Sequence, residues 1–298
     1  ISDLGFEVNG VNVGAEVKLG HKDNLGAIRK SNFESLVWDG STFKGGPSEN
    51  STMPEVIEAL VVSMNNSAKH PVVLITGAAV RLGAATARLL HLHGYNIIIH
   101  CNKSVTDATS LSDELNQQRE NSATVLQANL SDMNAVTELG KQSIATWGQL
   151  DVLINNASAF YPTPLAEISQ SQWDELFASN ARAPLFLAQA CAQALTQQEG
   201  CIINISDLYA QRGLSNHSIY TMAKAAQEAM TRSLARELAP KVRVNGIAPG
   251  AILWPPGEEL SEEKKQAIIN NASLKKMGAP EDIANAVLFL LEKGSYIT

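Results

Sequence analysis

From Pro71 onward the chain alternates short β-branched runs with helix-length segments, and no other feature constrains its fold as strongly. Near-continuous apolar runs of strand length belong to strands buried on both faces of a sheet. They are read here as Val72–Thr76, Asn96–His100, Ala123–Ala128, Asp151–Ile154, Cys201–Ser206 and Val242–Ile247. Between and after them lie helical stretches near Leu82–His93, Ala108–Arg119, Met133–Trp147, Ser171–Ala194, Ile219–Leu238 and Pro280–Leu291. Such an order builds βαβ units and a parallel sheet, because parallel neighbours need a long crossover and a helix supplies it. Pro280 suits a first helical turn, where its missing N–H would be unpaired in any case.

Residues 1–63 do not share this pattern. They carry scattered Gly, Asn and Ser, the turn signals Asp39-Gly40 and Gly45-Gly46, and alternation such as that from Val11 to Val17. They name no fold. The chain opens on Ile1, and Met64 begins a short polar lead into the first strand, so the expected organisation is an N-terminal segment of unknown fold (1–63) standing apart from a domain at 64–298. The 23 Lys and Arg against 30 Asp and Glu leave a net charge of −7, which argues against nonspecific nucleic-acid binding. No apolar run approaches the roughly 18 residues of a membrane span. Cys101, Cys191 and Cys201 form no metal-ligand spacing, so no metal is expected and the thiols read as reduced packing residues of a cytoplasmic protein.

The first strand runs into Thr76-Gly77-Ala78-Ala79-Val80-Arg81-Leu82-Gly83 and then an apolar helix. Strand, glycine turn and helix in that order aim backbone N–H groups at a pyrophosphate. Gly77 permits the turn and Gly83 lets the helix approach the sheet; a plain tight turn is the competing reading. About twenty residues on, where NAD-binding units place a carboxylate for the ribose, stand His100-Cys101-Asn102-Lys103-Ser104. Lys103 and Ser104 there suit the 2′-phosphate of NADP, and no acid repels it; an exposed strand-end Lys is the alternative. His100 reads either as a polar strand terminus or as a cofactor contact.

Asn155-Asn156-Ala157-Ser158 ends the fourth strand, and Asn180 sits inside the helix begun near Ser171. Tyr220 and Lys224 lie four residues apart on one helix face, about thirteen residues after Asp207. A lysine so placed favours tyrosinate, lowering the phenol pKa and making it a proton donor near neutrality.

Together these features resemble the short-chain dehydrogenase/reductase family from about Val72 to the end of the chain. The counterparts of its motifs are Thr76–Gly83, Asn155–Ser158, Asn180, Asp207, Tyr220 with Lys224, and Pro249-Gly250. The resemblance implies an α/β fold, a doubly wound, Rossmann-type parallel sheet in three αβα layers. It implies catalytic roles for Asn180, Asp207, Tyr220 and Lys224, the last two also touching the cofactor. Further cofactor contacts are implied at Thr76, Gly77, Arg81, Leu82 and Gly83, at His100, Asn102, Lys103 and Ser104, at Asn129 and Leu130, and at Asn156, Ala157, Ser158, Pro249 and Gly250.

Three departures agree with one another. Arg81 replaces the family's middle glycine, Asn155–Pro162 reads NNASAFYP, and Asp207 stands where a catalytic Ser is usual. Each resembles the bacterial pteridine reductase branch, which implies NADPH as cofactor, a small-molecule dihydropterin as substrate, and a homotetramer. A pterin offers C=N bonds and a flat aminated ring that gains from a carboxylate partner. Arg81, Ser158, Phe160, Asp207 and Tyr220 are its implied contacts, Phe160 by stacking on the ring; a core aromatic is the other reading of Phe160. A carbonyl or 3-oxoacyl reductase, and a non-catalytic NADPH sensor, stay open as alternatives. At Gly294–Thr298 the chain stops where the family continues into a last strand, so that edge strand is expected to be missing.

Overall fold

The structure, a computed structural model, describes residues 70–254 and 260–298, together with the backbone of five short strands before them. The chain divides into two compact units, Ile1–His70 and Pro71–Thr298. The expected boundary at 63/64 lies outside the described residues.

In the first unit β1 (Leu4–Val8) and β2 (Val11–Ala15) form an antiparallel pair with Phe6 opposite Val13. The strands β3 (Ala27–Lys30), β4 (Phe33–Trp38) and β5 (Phe43–Lys44) form a separate antiparallel sheet in that order.

The second unit is built on a six-stranded parallel sheet. Its strands are β6 (Val72–Ile75), β7 (Asn96–Cys101), β8 (Ala123–Gln127), β9 (Val152–Asn155), β10 (Cys201–Ile205) and β11 (Arg243–Ile247). They lie side by side in the order β11-β10-β9-β6-β7-β8. The chain therefore starts at the centre, winds to one edge, and returns past β6 to the other. This is the doubly wound Rossmann-type arrangement, and its switch point falls between β6 and β9.

Alternation along each strand divides the core between the two faces. Val73, Ile75, Ile97, Ile99, Ile154 and Ile203 pack with α1 (Arg81–Leu92), α2 (Val105–Gln118) and α9 (Pro280–Glu292). Val72, Leu74, Ile98, Leu153 and Ile202 pack with α3 (Met133–Trp147) and α5 (Ala183–Gln197). Each buried aliphatic side chain contributes roughly 1.5–3 kcal/mol, so the two clusters dominate the stabilisation. Helix ends carry expected signals: Asp132 accepts from the Asn134 N–H at the start of α3, and Gly148 closes it at φ 71°.

The helix expected over Ser171–Ala194 is not continuous. It divides into α4 (Gln170–Phe177), a π-helical turn (Ala178–Arg182) and α5. Asn180 occupies that turn and donates through Nδ2 to Leu176 O and Ala159 O, both at 2.9 Å. An amide competing for main-chain carbonyls widens a helix locally. Three more elements were not anticipated: a 3₁₀ turn at Leu165–Glu167, α6 (Tyr209–Arg212), and α8 (Glu262–Asn271). The long helix α7 (Ser218–Glu237) lies between α6 and α8 in sequence. On its edge β11 is the outermost strand, with the Val244 N–H donating to Thr298 Oγ1 at 3.0 Å and Asn245 Nδ2 donating to Ile297 O at 2.9 Å.

The glycine turn after β6 leaves no room for a side chain at its end. A Cβ on Gly83 would lie 2.5 Å from Gly77 O and 2.8 Å from Asn156 Nδ2. We expect Gly83→Ala to destabilise the domain by at least about 1–3 kcal/mol, since backbone rather than a flexible side chain must move. Urea unfolding followed by far-UV dichroism tests this, and a change under about 0.5 kcal/mol contradicts it.

Candidate active site

The carboxyl ends of β6 and β9 are joined by polar groups. Thr76 Oγ1 accepts from the N–H groups of Asn156 and Ala157, each at 3.0 Å. Asn156 Nδ2 donates in return to Thr76 O (2.8 Å) and Gly77 O (3.1 Å). Thr76 is buried, so it braces the loop from within. Gly77 takes φ +64°, and Ala157 Cα would lie 3.0 Å from any Cβ there.

His100 supports the same loop from the core side. Its Nε2 lies 3.1 Å from Ala128 O, a carbonyl that only accepts, so Nε2 carries the proton. Nδ1 is then free to accept from the Gly77 N–H at 3.1 Å. Both ring nitrogens are satisfied only in the neutral ring, and burial holds the His100 pKa down to about 4. Helix α1 begins with neither a side-chain cap nor an acidic residue in its first turn, which leaves its N-terminus suited to an anion. Arg81, at φ 57°, donates to Trp254 O at 3.1 Å and ties the glycine loop to the segment after Pro249-Gly250. At the end of β7, Asn102 and Lys103 are exposed, and Ser104 starts α2 without capping it. Asn129 is exposed and turns on its own Oδ1, which accepts from the Ser131 N–H, while Leu130 and Leu82 pack toward the two core clusters.

The second half of the site gathers at the ends of β9 and β10. Tyr220, only 4% exposed, donates its hydroxyl to Asp207 Oδ2 at 2.6 Å. The other carboxylate oxygen accepts from the Tyr209 N–H at 2.8 Å, which orients the pair. The neighbouring Leu208 N–H donates to Pro249 O at 3.3 Å, joining this loop to the Pro-Gly turn. Ser158 Oγ donates to Asn180 Oδ1 at 2.7 Å, so Asn180 fixes the loop bearing Ser158 and Phe160. Phe160 stands edge-on to Tyr220, with centroids 4.8 Å apart, and stacks on His217 at 4.7 Å and 14°. His217 was not singled out from the sequence; nothing local marks it, because its partner lies far away in the chain. Phe160 is 36% exposed, so it forms a wall rather than part of the core.

Lys224 shares the helix face of Tyr220, as the spacing led us to expect, but its hydrogen bond goes elsewhere. Its Nζ donates to Ile205 O at 2.8 Å and lies 6.0 Å from the Tyr220 ring centroid. Burial, followed by the Asp207 charge, pushes the Tyr220 pKa upward, and the phenol is held in its protonated form. Burial likewise pushes Lys224 down to about 8, against the opposing pull of Asp207. The expected lowering of the tyrosine pKa is thus reversed here, because burial and then the adjoining Asp207 charge both disfavour the phenolate.

Residues 77–298 match the family model described as Enoyl-(Acyl carrier protein) reductase. The chain belongs to the short-chain dehydrogenase/reductase family. Among its relatives, Pteridine reductase 1 of Leishmania tarentolae is 37% identical over 277 residues, covering 79% of this chain and 95% of that protein. A 3-oxoacyl-(acyl-carrier-protein) reductase of Staphylococcus aureus is 33% identical over 228 residues, covering 76% of this chain and 92% of its own length. An uncharacterized oxidoreductase of Bacillus subtilis is 29% identical over the same length. Members of the short-chain dehydrogenase/reductase family are nicotinamide-dependent oxidoreductases, and such a dinucleotide fits the open helix N-terminus and the side-chain-free glycine turn. Among the described residues no group of three or more His, Cys, Asp or Glu is placed to hold a metal ion, and no helix is long and apolar enough to cross a membrane.

The His100 geometry makes stability depend on pH in a defined direction. Its folded pKa lies below the unfolded value near 6.5, so the unfolded chain binds more protons in between. Stability is therefore complete above about pH 6.5 and is lost as pH falls toward about 4, by about 2 kcal/mol at pH 5. Urea unfolding at pH 7.5 and 5 should show this loss in the unmodified protein and little of it in His100→Gln; equal slopes in both would contradict it.

Proposed function

We propose that this chain reduces dihydropterins to their tetrahydro forms with NADPH. The observation that carries the reading is the 2.6 Å hydrogen bond from Tyr220 to Asp207, a carboxylate where a carbonyl reductase of the family has a hydroxyl. A hydroxyl at that place polarises a ketone oxygen, whereas a carboxylate would repel it and would instead accept from an aminated heterocycle. The printed name of the Leishmania relative, a pteridine reductase, supports the same reading.

When bound, NADPH supplies the hydride that adds to the carbon of the pterin C=N bond. Tyr220 presents the proton for the ring nitrogen, and Asp207, anchored by the Tyr209 N–H and reached through a half-open loop, passes the replacement proton from solvent. Lys224 offsets the charge left on the phenolate. Phe160 covers the ring face, held by His217, and Ser158 is kept in place for a ring contact by Asn180. Arg81 and the glycine turn would hold the cofactor's phosphates, and Lys103 and Ser104 would take the 2′-phosphate. Assembly into a homotetramer and a cytoplasmic location belong to this reading, as does an enzyme domain that works without residues 1–63.

A panel that follows NADPH oxidation with dihydropteridines and 3-oxoacyl thioesters tests the reaction. Tyr220→Phe should abolish turnover and leave NADPH binding nearly intact. Asp207→Ser should cost orders of magnitude on dihydropterins and gain a little on ketones. Retention of dihydropterin turnover within about twofold in Asp207→Ser, about 0.4 kcal/mol of barrier, removes the chemical basis of the assignment; preference of the unmodified enzyme for 3-oxoacyl substrates replaces it with a carbonyl reductase.

Cofactor choice has its own test. Lys103→Ala should weaken NADPH binding about ten- to a hundredfold, the worth of one charge-assisted contact, and leave NADH binding unchanged. Equal affinity of the unmodified protein for the two dinucleotides in a fluorescence titration would overturn the preference.

A further inference from the structure

The buried face of α7 carries one polar side chain that the reaction above does not use. Gln227 follows Lys224 by three residues, which places it on the same helix face one turn on. It is completely buried, at 0% exposure. Its Oε1 lies 3.5 Å from Lys224 Nζ, and its Nε2 has no hydrogen-bond partner among the described residues. An ammonium only donates, so the oxygen must be the atom turned toward Lys224. Leaving the amide nitrogen unpaired in the interior is unfavourable, and a methionine of the same length would avoid it. A glutamine that served only to fill space would be the wrong residue here.

The groups around Lys224 show what the carboxamide adds. Strand β10 contributes the neutral carbonyl of Ile205, at 2.8 Å. The loop after β10 contributes Asp207, whose carboxylate is committed to the Tyr220 hydroxyl and the Tyr209 N–H. On α7 itself stand the Tyr220 ring, at 6.0 Å, and Gln227. Among the described residues, then, the Gln227 oxygen is the neutral acceptor besides Ile205 O that the ammonium reaches. The helix turn that bears it is tied to the sheet by a polar row that runs from buried Asn155 and Asn204 to half-buried Thr231. Thr231 Oγ1 donates to Gln227 O, Asn204 Nδ2 donates to Thr231 Oγ1, and Asn155 Nδ2 donates to Asn204 Oδ1, each at 2.8 Å. This row crosses from β9 through β10 to α7, with Asn155 Oδ1 at its far end lacking a partner among the described residues, and hydrogen-bonded rows of this kind hold packed elements in one register.

We propose that Gln227 is a positioning residue whose side-chain oxygen holds Lys224 as an ammonium, at a height on α7 set by the Thr231, Asn204 and Asn155 row. The proposal rests on Lys224 belonging to the reductase site, but its decisive measurement does not depend on turnover. Lysine side chains labelled with ¹³C at Cε are titrated by NMR in the unmodified protein, with the Lys224 signal assigned by its loss in Lys224→Met. Loss of an acceptor disfavours the charged form, so Gln227→Met should lower the Lys224 midpoint by at least about 0.3 pH unit. Gln227→Glu, which adds a negative charge at the same place, should raise it. A Lys224 midpoint in Gln227→Met within about 0.3 unit of the unmodified protein overturns the proposal. Should Gln227→Met fail to fold, an unchanged or lowered midpoint in Gln227→Glu overturns it equally. Absence of dihydropterin turnover in the unmodified enzyme would count against the proposed reaction alone, since the NMR midpoint still decides the role of Gln227.

Discussion

Everything at the site hangs from the polar seam between β6 and β9. Where a parallel sheet reverses its winding, two neighbouring strands send their chains to opposite faces and a crevice opens at their carboxyl ends. Here Thr76 and Asn156 close the base of that crevice by exchanging hydrogen bonds in both directions. The carbonyls and amides that would otherwise be unpaired are satisfied, and the turn carrying Gly77 and Gly83 is held close enough that neither tolerates a side chain. His100, from the next strand, supports the turn by accepting the Gly77 N–H. The phosphate-binding geometry is thus a consequence of how two strands are stitched, rather than of the glycines alone.

The proposed chemistry depends on a second arrangement, one carboxylate, one phenol and one ammonium set in a largely buried corner. Burial disfavours both tyrosinate and ammonium, while the Asp207 charge opposes the first and favours the second. The result is a phenol held protonated and, on the same helix face, a lysine whose ammonium is held less firmly than usual. Such a pair of displaced groups is characteristic of a site that moves protons. A serine in place of Asp207 would leave the phenol without its nearest charge.

Much of this was legible in the residues. Strands buried on both faces are near-continuous apolar runs, so all six of the parallel sheet were placed to within about a residue at either end, and the βαβ order followed. Helix α3 was bounded correctly because Asp132 and Gly148 punctuate it. The π turn at Asn180 was not legible, since the apolar helical period runs on through it and only the amide's contacts with Ala159 and Leu176 reveal the break. Helix α8 was missed because it buries no residue and so has no apolar stripe to read. In the first 63 residues the alternation near Val11 did mark strand, yet the pairing of β1 with β2 needs a partner that a single pattern does not specify.

The sequence by itself determined the alternation of strands and helices, the parallel sheet, the glycine turn and the spacing of Asp207, Tyr220 and Lys224, because periodicity and fixed spacings are local and survive without coordinates, while the doubly wound order came with the family resemblance. Tertiary structure alone decided which of those candidates meet. Helical spacing put Lys224 on the face of Tyr220, but the carbonyl of Ile205 claims the ammonium while Asp207 takes the phenolic proton. It likewise set His217 under Phe160 and Trp254 O beside Arg81. These contacts join segments from 13 to 173 residues apart, and which donor finds which acceptor depends on distances of a few tenths of an ångström that no residue pattern encodes.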